Sequence, residues 1–76
     1  MISKKDFKDR LRELRCAKGQ TQAQVGAGMG IDERHYQKFE LGSHFPSAEN
    51  LCALADYYEV SVDYLLGRTD NPEINH

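Results

Sequence analysis

Residues 22–41 read QAQVGAGMGIDERHYQKFEL, and the spacing of their apolar and small residues decides the fold. This spacing is typical of two short helices that cross steeply through a tight turn. Gly30 supplies the turn, and Gly26 stands where a larger side chain would keep the second helix away from the first. The buried sides are predicted to consist of Val25 and Met29 in the first of these helices and Ile31, Tyr36 and Phe39 in the second.

Helix starts recur five times along the chain. At each one, a Ser, Thr or Asp in the capping position is followed three residues later by a polar residue and then by an apolar one. The five caps are Ser3, Thr21, Asp32, Ser47 and Ser61. A glycine follows four of the predicted helices, at the position where a residue in the left-handed conformation often ends a helix. The sequence therefore predicts an all-α fold, a compact five-helix bundle in which helix 1 spans residues 4–18, helix 4 residues 48–58 and helix 5 residues 62–66.

A chain of 76 residues has room for a single domain. Helical periodicity continues to about Arg68, whereas the segment after it is polar and lacks any period. We therefore expect residues 1–68 to form the domain and residues 69–76 to form a flexible polar tail.

The net charge of −2 is unevenly distributed along the chain. Residues 1–18 contain seven Lys and Arg against three Asp and Glu, while residues 46–76 contain one Arg against six Asp and Glu. If the partner is a polyanion, the basic N-terminal part should face it and the acidic C-terminal part should face away.

Composition and spacing argue against several classes of protein. No apolar run approaches the roughly 18 residues of a membrane span, and the N-terminus leads into charge, so we expect a cytoplasmic protein without membrane contact. Cys16 and Cys52 are interpreted as buried free thiols, with a disulfide between them as the less favoured alternative, and His35, His44 and His76 have no metal-binding spacing. No catalytic or phosphate-binding arrangement occurs either, so we expect neither an enzyme, a metal, a cofactor nor a small-molecule effector.

Beyond these patterns, the chain resembles the lambda-repressor-like, Cro-type helix-turn-helix family of phage repressors and bacterial regulators. The resemblance depends on residues 11–15 (LRELR), 21–22, 25–26, 30–31, 39–42 (FELG), 46–47, 51, 54–55 and 60–67 (VSVDYLLG). It implies sequence-specific binding to double-stranded DNA, with helix 3 in the major groove. It also implies a homodimer on a palindromic operator, and a role in transcription regulation, most often repression.

The resemblance also assigns roles to particular residues. The base-reading positions are Asp32, Glu33, Arg34, His35, Gln37 and Lys38, and the phosphate-contacting positions are Thr21, Gln22, Ser43 and His44. Arg15 and Glu40 match a structural ion pair between helices 1 and 3. Among the base-reading positions we favour Arg34, because its guanidinium matches the O6 and N7 atoms of guanine.

Two features depart from the family pattern. The loop after Gly42 reads SHFP, where the family usually carries Lys or Arg against phosphate. Asp32 and Glu33 also bring negative charge to the start of helix 3. Asp32 can serve as a cap, and Glu33 can either favour the helix dipole or accept a hydrogen bond from a cytosine amine.

A second function remains open from the sequence alone. The same fold could serve as a protein-interaction module, such as an antitoxin-like partner that uses its acidic C-terminal half. Among DNA-binding proteins, the sequence does not distinguish a phage repressor from a restriction-modification controller or an antitoxin.

Overall fold

A computed structural model describes residues 4–73, with side chains from Phe7 onward. Within these residues the chain forms five helices and no strand, which confirms the all-α bundle predicted from the sequence. The helices are α1 (Lys4–Lys18), α2 (Gln22–Met29), α3 (Glu33–Leu41), α4 (Ala48–Tyr58) and α5 (Val62–Leu65). The last of these is one residue shorter than predicted, because Leu66 forms its C-cap.

Four of the five predicted N-cap side chains accept a hydrogen bond from a backbone N–H in the first turn of the helix that follows. The side chains of Thr21, Ser47 and Ser61 each accept a hydrogen bond from the backbone N–H three residues later. Asp32 accepts from the N–H of Arg34, two residues later. The fifth predicted cap, Ser3, lies outside the described residues.

The core lies between α1, the α2–α3 pair and α4 with α5. It contains Phe7, Leu11, Val25, Tyr36, Phe39, Leu54, Ala55, Tyr58, Val60 and Leu65, while Met29 and Ile31 are only partly buried against it. The hydroxyl groups of Tyr36 and Tyr58 lie 2.6 Å apart inside this core and form a hydrogen bond with each other. Each buried hydroxyl thereby avoids the cost of an unpaired polar group.

The turn between α2 and α3 brings the two backbones into close contact. Gly30 adopts a left-handed conformation with φ of 73°, and the N–H of Ile31 donates to the carbonyl of Gly26 over 2.9 Å. A Cβ atom on Gly26 would lie 3.1 Å from the carbonyl oxygen of Ile31. The close approach predicted for Gly26 is therefore present in the structure.

Part of the predicted C-terminal tail packs on the bundle. The guanidinium of Arg10 in α1 donates hydrogen bonds to the carbonyl oxygen of Thr69 and to the carboxylate of Asp70. The N–H of Ser61 donates to the carbonyl of Pro72 over 3.0 Å. These contacts hold the start of the segment against α1 and the beginning of α5. The domain boundary after Arg68 stays a prediction.

The prediction of buried cysteines is wrong. Cys16 and Cys52 are both exposed, and both are free thiols. Cys16 lies on the side of α1 opposite Phe7, and Cys52 lies about a third of a turn away from the core-facing side of α4. Helical phase therefore outweighs the usual tendency of free cysteine to be buried. Within the described residues, no helix has both the length and the apolar character that crossing a membrane requires.

Candidate nucleic-acid interface

Helix α3 has a buried side and an exposed side, and the predicted base-reading residues lie on or beside the exposed one. Tyr36, Phe39 and Glu40 are buried. Asp32, Glu33, Arg34 and Lys38 are exposed, while His35 and Gln37 are half-buried on the flanks. The structure therefore brings the predicted residues together on one surface, although Asp32 precedes the helix as its cap.

Contacts within α3 already engage its two N-terminal carboxylates. The Asp32 carboxylate accepts the N–H of Arg34 over 3.2 Å, which stabilises the first turn. The Glu33 carboxylate accepts a hydrogen bond of 3.2 Å from the side-chain amide of Gln37, one turn later. Arg34, the second residue of α3, is the first cation of the helix and is exposed.

Beneath this surface, an ion pair connects α3 with α1. Arg15 donates from Nε to Glu40 Oε2 over 2.8 Å and from Nη2 to Oε1 over 3.1 Å. The Glu40 residue is 1% exposed, whereas the Arg15 side chain is 18% exposed. Arg15 also donates to the carbonyl of Gln20, over 3.1 Å. The two parallel hydrogen bonds fix the orientation of α3 relative to α1, in addition to bringing two charges together.

The charged form of Glu40 is stabilised despite its burial. Desolvation by itself would raise the pKa of this carboxyl group. Hydrogen bonding from Arg15, Tyr36 and Gln22, together with the charge of Arg15, outweighs desolvation and holds the pKa of Glu40 below its usual value. The folded domain therefore contains a buried carboxylate whose charge is balanced by one partly exposed guanidinium.

Gln22 takes part in the same network. Its side-chain Nε2 donates to Glu40 Oε1 over 3.2 Å, so this amide points toward the ion pair. Thr21 and Gln24 form a reciprocal capping box, in which each side chain accepts a hydrogen bond from the other residue's backbone N–H. The sequence patterns did not reveal the contact between Gln22 and Glu40, because the two residues are 18 positions apart.

The loop after α3 is held against the last two turns of that helix. The N–H groups of Ser43 and His44 both point at the carbonyl of Lys38, at 3.2 and 3.4 Å. The His44 ring lies 6.2 Å from the Phe39 ring, nearly parallel to it, and 5.8 Å from the His35 ring. This cluster of three rings holds His44, a predicted phosphate-contacting residue, beside His35, a predicted base-reading residue.

The cations of α1 are not equally available to an external anion. Arg10 and Arg15 are engaged by groups of the chain itself, and the Lys18 ammonium lies 5.2 Å from the centre of the Tyr57 ring. Lys8 approaches the end of α3, where its Cδ lies 3.1 Å from the position that a Cβ on Gly42 would take. Arg12 is exposed. Of the five cations of α1 whose side chains the structure describes, Arg10 and Arg15 are therefore engaged by the chain itself.

The chain is similar to known helix-turn-helix transcriptional regulators. A family model described as helix-turn-helix matches residues 11–65. The chain is 44% identical over 62 residues to the transcriptional repressor RstR of cryptic phage CTXphi from Vibrio cholerae, a match that covers 82% of this chain and 55% of the repressor. It is also 44% identical over 64 residues to an HTH-type transcriptional regulator, YobD of Bacillus subtilis, with 84% of this chain and 57% of the regulator covered.

A third relative, the HTH-type transcriptional regulator AnsR of Bacillus subtilis, is 40% identical over 60 residues, covering 79% of this chain and 52% of AnsR. The chain thus spans about half the length of these curated relatives. No solved structure matches the chain.

Proposed function

The chain belongs to the helix-turn-helix family, and from this premise we propose that it binds double-stranded DNA in a sequence-specific manner as a transcriptional regulator. The observation that carries the proposal is the exposed side of α3, where Arg34 and Lys38 project from a helix that the buried Arg15–Glu40 pair holds in place. A helix of this kind fits the major groove, with its first turn closest to the base edges.

In this proposal, base readout centres on Arg34. Its guanidinium can donate two parallel hydrogen bonds to O6 and N7 of a guanine. Lys38 lies one turn later on the same side and supports the contact, while Glu33, Gln37 and His35 line the edges of the reading surface. Asp32 contributes mainly by capping the helix.

Phosphate contacts come from both ends of the α2–α3 unit. At the start of α2, the Thr21 hydroxyl can donate to a phosphate, and Gln22 contributes its backbone N–H because its side-chain amide binds Glu40. Ser43 and His44 follow α3 at its other end, and Lys8 lies against the preceding residue, Gly42. Because few full charges are involved, binding should weaken only moderately as salt increases.

We further propose that the chain acts as a homodimer on a near-palindromic operator. One such unit reads few base pairs, and two copies related by a two-fold axis would place their α3 helices about one turn of DNA, or ~34 Å, apart. The surface around α5 is the proposed contact between copies. Repression is the favoured outcome because RstR, a similar protein, is named a repressor. This role is a binding role in the cytoplasm, where bacterial DNA lies, and not catalysis.

The proposal can be tested by an electrophoretic mobility shift with a random pool of duplexes, at low and moderate salt, followed by sequencing of the bound fraction. We expect enrichment of a near-palindrome with two half-sites, bound by two copies of the chain. A single-stranded pool serves as the control and should show no enrichment. Absence of any enriched duplex would contradict the proposal and favour the protein-interaction alternative.

A further inference from the structure

Leu41, the last residue of α3, is the only large hydrophobic side chain within the described residues that is mostly exposed. It is 68% exposed, whereas the leucines of the core are almost completely buried. A single exposed leucine is common on protein surfaces and needs no explanation by itself. The position of Leu41 relative to the reading surface makes this one informative.

Leu41 lies on the same side of α3 as the residues proposed to read bases. It follows Arg34 by seven residues and Lys38 by three, which are the spacings that align side chains along one side of a helix. Two helical turns separate Arg34 from Leu41, a rise of about 10 Å. The apolar side chain therefore continues the row formed by the two cations toward the rim of the groove.

Two lysines lie near Leu41. Lys38 precedes it by one turn, and the aliphatic chain of Lys8 lies over Gly42, the next residue. An apolar side chain with lysines in its neighbourhood suits a surface on which negative charge alternates with accessible methyl or methylene groups. The major groove has this character where a thymine C5-methyl lies near its own strand's phosphates.

We infer that Leu41 contacts the C5-methyl group of a thymine in the bound DNA and thereby contributes to sequence preference at that base pair. This inference rests on the proposed DNA-binding function. The C5-methyl is the part of the thymine edge that projects toward the rim of the groove, so a residue in the third turn of α3 can reach it while Arg34 occupies the groove floor. The contact is apolar, and it distinguishes thymine from cytosine without a hydrogen bond.

The test uses the selected duplex with each thymine replaced in turn by deoxyuridine, which removes only the methyl group. Binding is compared for the wild type, Leu41→Ala and Leu41→Met. We expect one thymine at which the replacement weakens wild-type binding about fourfold, the effect of burying one methyl group. The Leu41→Ala variant should bind thymine and deoxyuridine equally at that position, whereas Leu41→Met should retain the preference.

Folding should not obscure the result, because Leu41 is exposed and alanine favours helix. If wild type binds the duplex but every deoxyuridine replacement affects wild type and Leu41→Ala equally, the inference is wrong while the proposed function stands. If Leu41→Ala changes the association state of the protein instead of its response to deoxyuridine, the inference is also overturned, because Leu41 would then contact protein. If the wild type selects no duplex at all, both proposals fail.

Discussion

Tyr57 of α4 lies directly over Gly28 of α2. A Cβ atom on Gly28 would lie 2.7 Å from Cε1 of the Tyr57 ring, closer than such atoms approach in folded proteins. The Tyr57 hydroxyl donates to Oε1 of Gln20 over 2.6 Å, which holds the ring in this position. A glycine within a helix costs about 1 kcal/mol relative to alanine, and close packing by Tyr57 accounts for its presence here.

The first prediction concerns the sign of the Gly28→Ala effect. Helix propensity alone would stabilise the domain by up to about 1 kcal/mol, but contact with the Tyr57 ring should reverse this and destabilise it by about 1 to 3 kcal/mol. In a Tyr57→Ala background the same change should stabilise, because the obstructing ring is gone. Urea denaturation of the four proteins measures both effects. Stabilisation by Gly28→Ala in the wild-type background would show that the ring moves freely.

The second prediction concerns the Arg15–Glu40 pair. Arg15→Met should lower the free energy of unfolding by about 3 kcal/mol or more, because it leaves Glu40 buried and unpaired. Glu40→Gln should cost less, since the Arg15 side chain retains some contact with solvent. Replacing both residues should cost less than Arg15→Met alone. In each single variant the loss in free energy of DNA binding should exceed the loss in free energy of unfolding, because α3 loses its fixed orientation.

Arg68 and Asp63 provide a matched control for this cycle. They form an exposed pair at 3.9 Å, with side chains 57% and 60% exposed. The corresponding Arg68→Met and Asp63→Asn changes should alter stability by less than about 1 kcal/mol and combine additively. Additive losses for Arg15 and Glu40 as well would contradict the coupling.

The third prediction follows from the lowered pKa of Glu40. A carboxyl group with a lower pKa in the folded state contributes stability above its unfolded pKa, and this contribution disappears as pH falls through the folded pKa. The free energy of unfolding should therefore decrease as pH falls from about 5, just above the ordinary pKa of Glu, toward more acidic values. The Arg15→Met, Glu40→Gln double variant lacks this carboxyl group, so its stability should decrease less over the same range. Equal pH dependence in the two proteins would rule out Glu40 as a source.

The fourth prediction concerns the segment that follows α5. Arg10→Ala removes the donor to the Thr69 carbonyl and the partner of Asp70. Residues 69–73 should then separate from the bundle, and the Ser61 N–H, which donates to Pro72, should exchange faster with solvent. Amide hydrogen exchange read out by NMR provides the measurement, and Arg12→Ala, a change at an exposed cation of the same helix, is the control. Equal protection of Ser61 in all three proteins would contradict the role of Arg10.

The sequence predicted the helices well because their signals are local. Caps such as Thr21 and Ser47, and the apolar spacing of each helix, depend on residues within one or two turns. Contacts between distant parts of the chain leave no such local signal. The packing of Tyr57 on Gly28 and the hydrogen bond from Arg10 to Thr69 could not be predicted from sequence, because each joins residues far apart in the chain.

The same distinction between local patterns and long-range contacts applies to the candidate site. The exposed side of α3 follows from helical phase, so Arg34 and Lys38 could be placed on it from sequence. The side-chain contact of Gln22 with Glu40 could not, because it depends on how α2 packs against α3. Charge counts likewise suggested a strongly basic α1, although Arg10 is engaged within the domain.

The most direct test of the account is the base preference of Arg34→Ala. Binding of wild type, Arg34→Ala and Arg68→Ala should be measured on the selected duplex and all its single-base variants, at several salt concentrations. We predict that Arg34→Ala loses about 1 to 3 kcal/mol on the preferred duplex and no longer discriminates at one or two base pairs, as loss of a bidentate guanine contact requires. Arg68→Ala, which removes an exposed cation beyond α5, should keep every preference. If Arg34→Ala instead weakens binding equally on all variants and keeps the wild-type preferences, Arg34 contacts phosphate and the proposed readout is wrong.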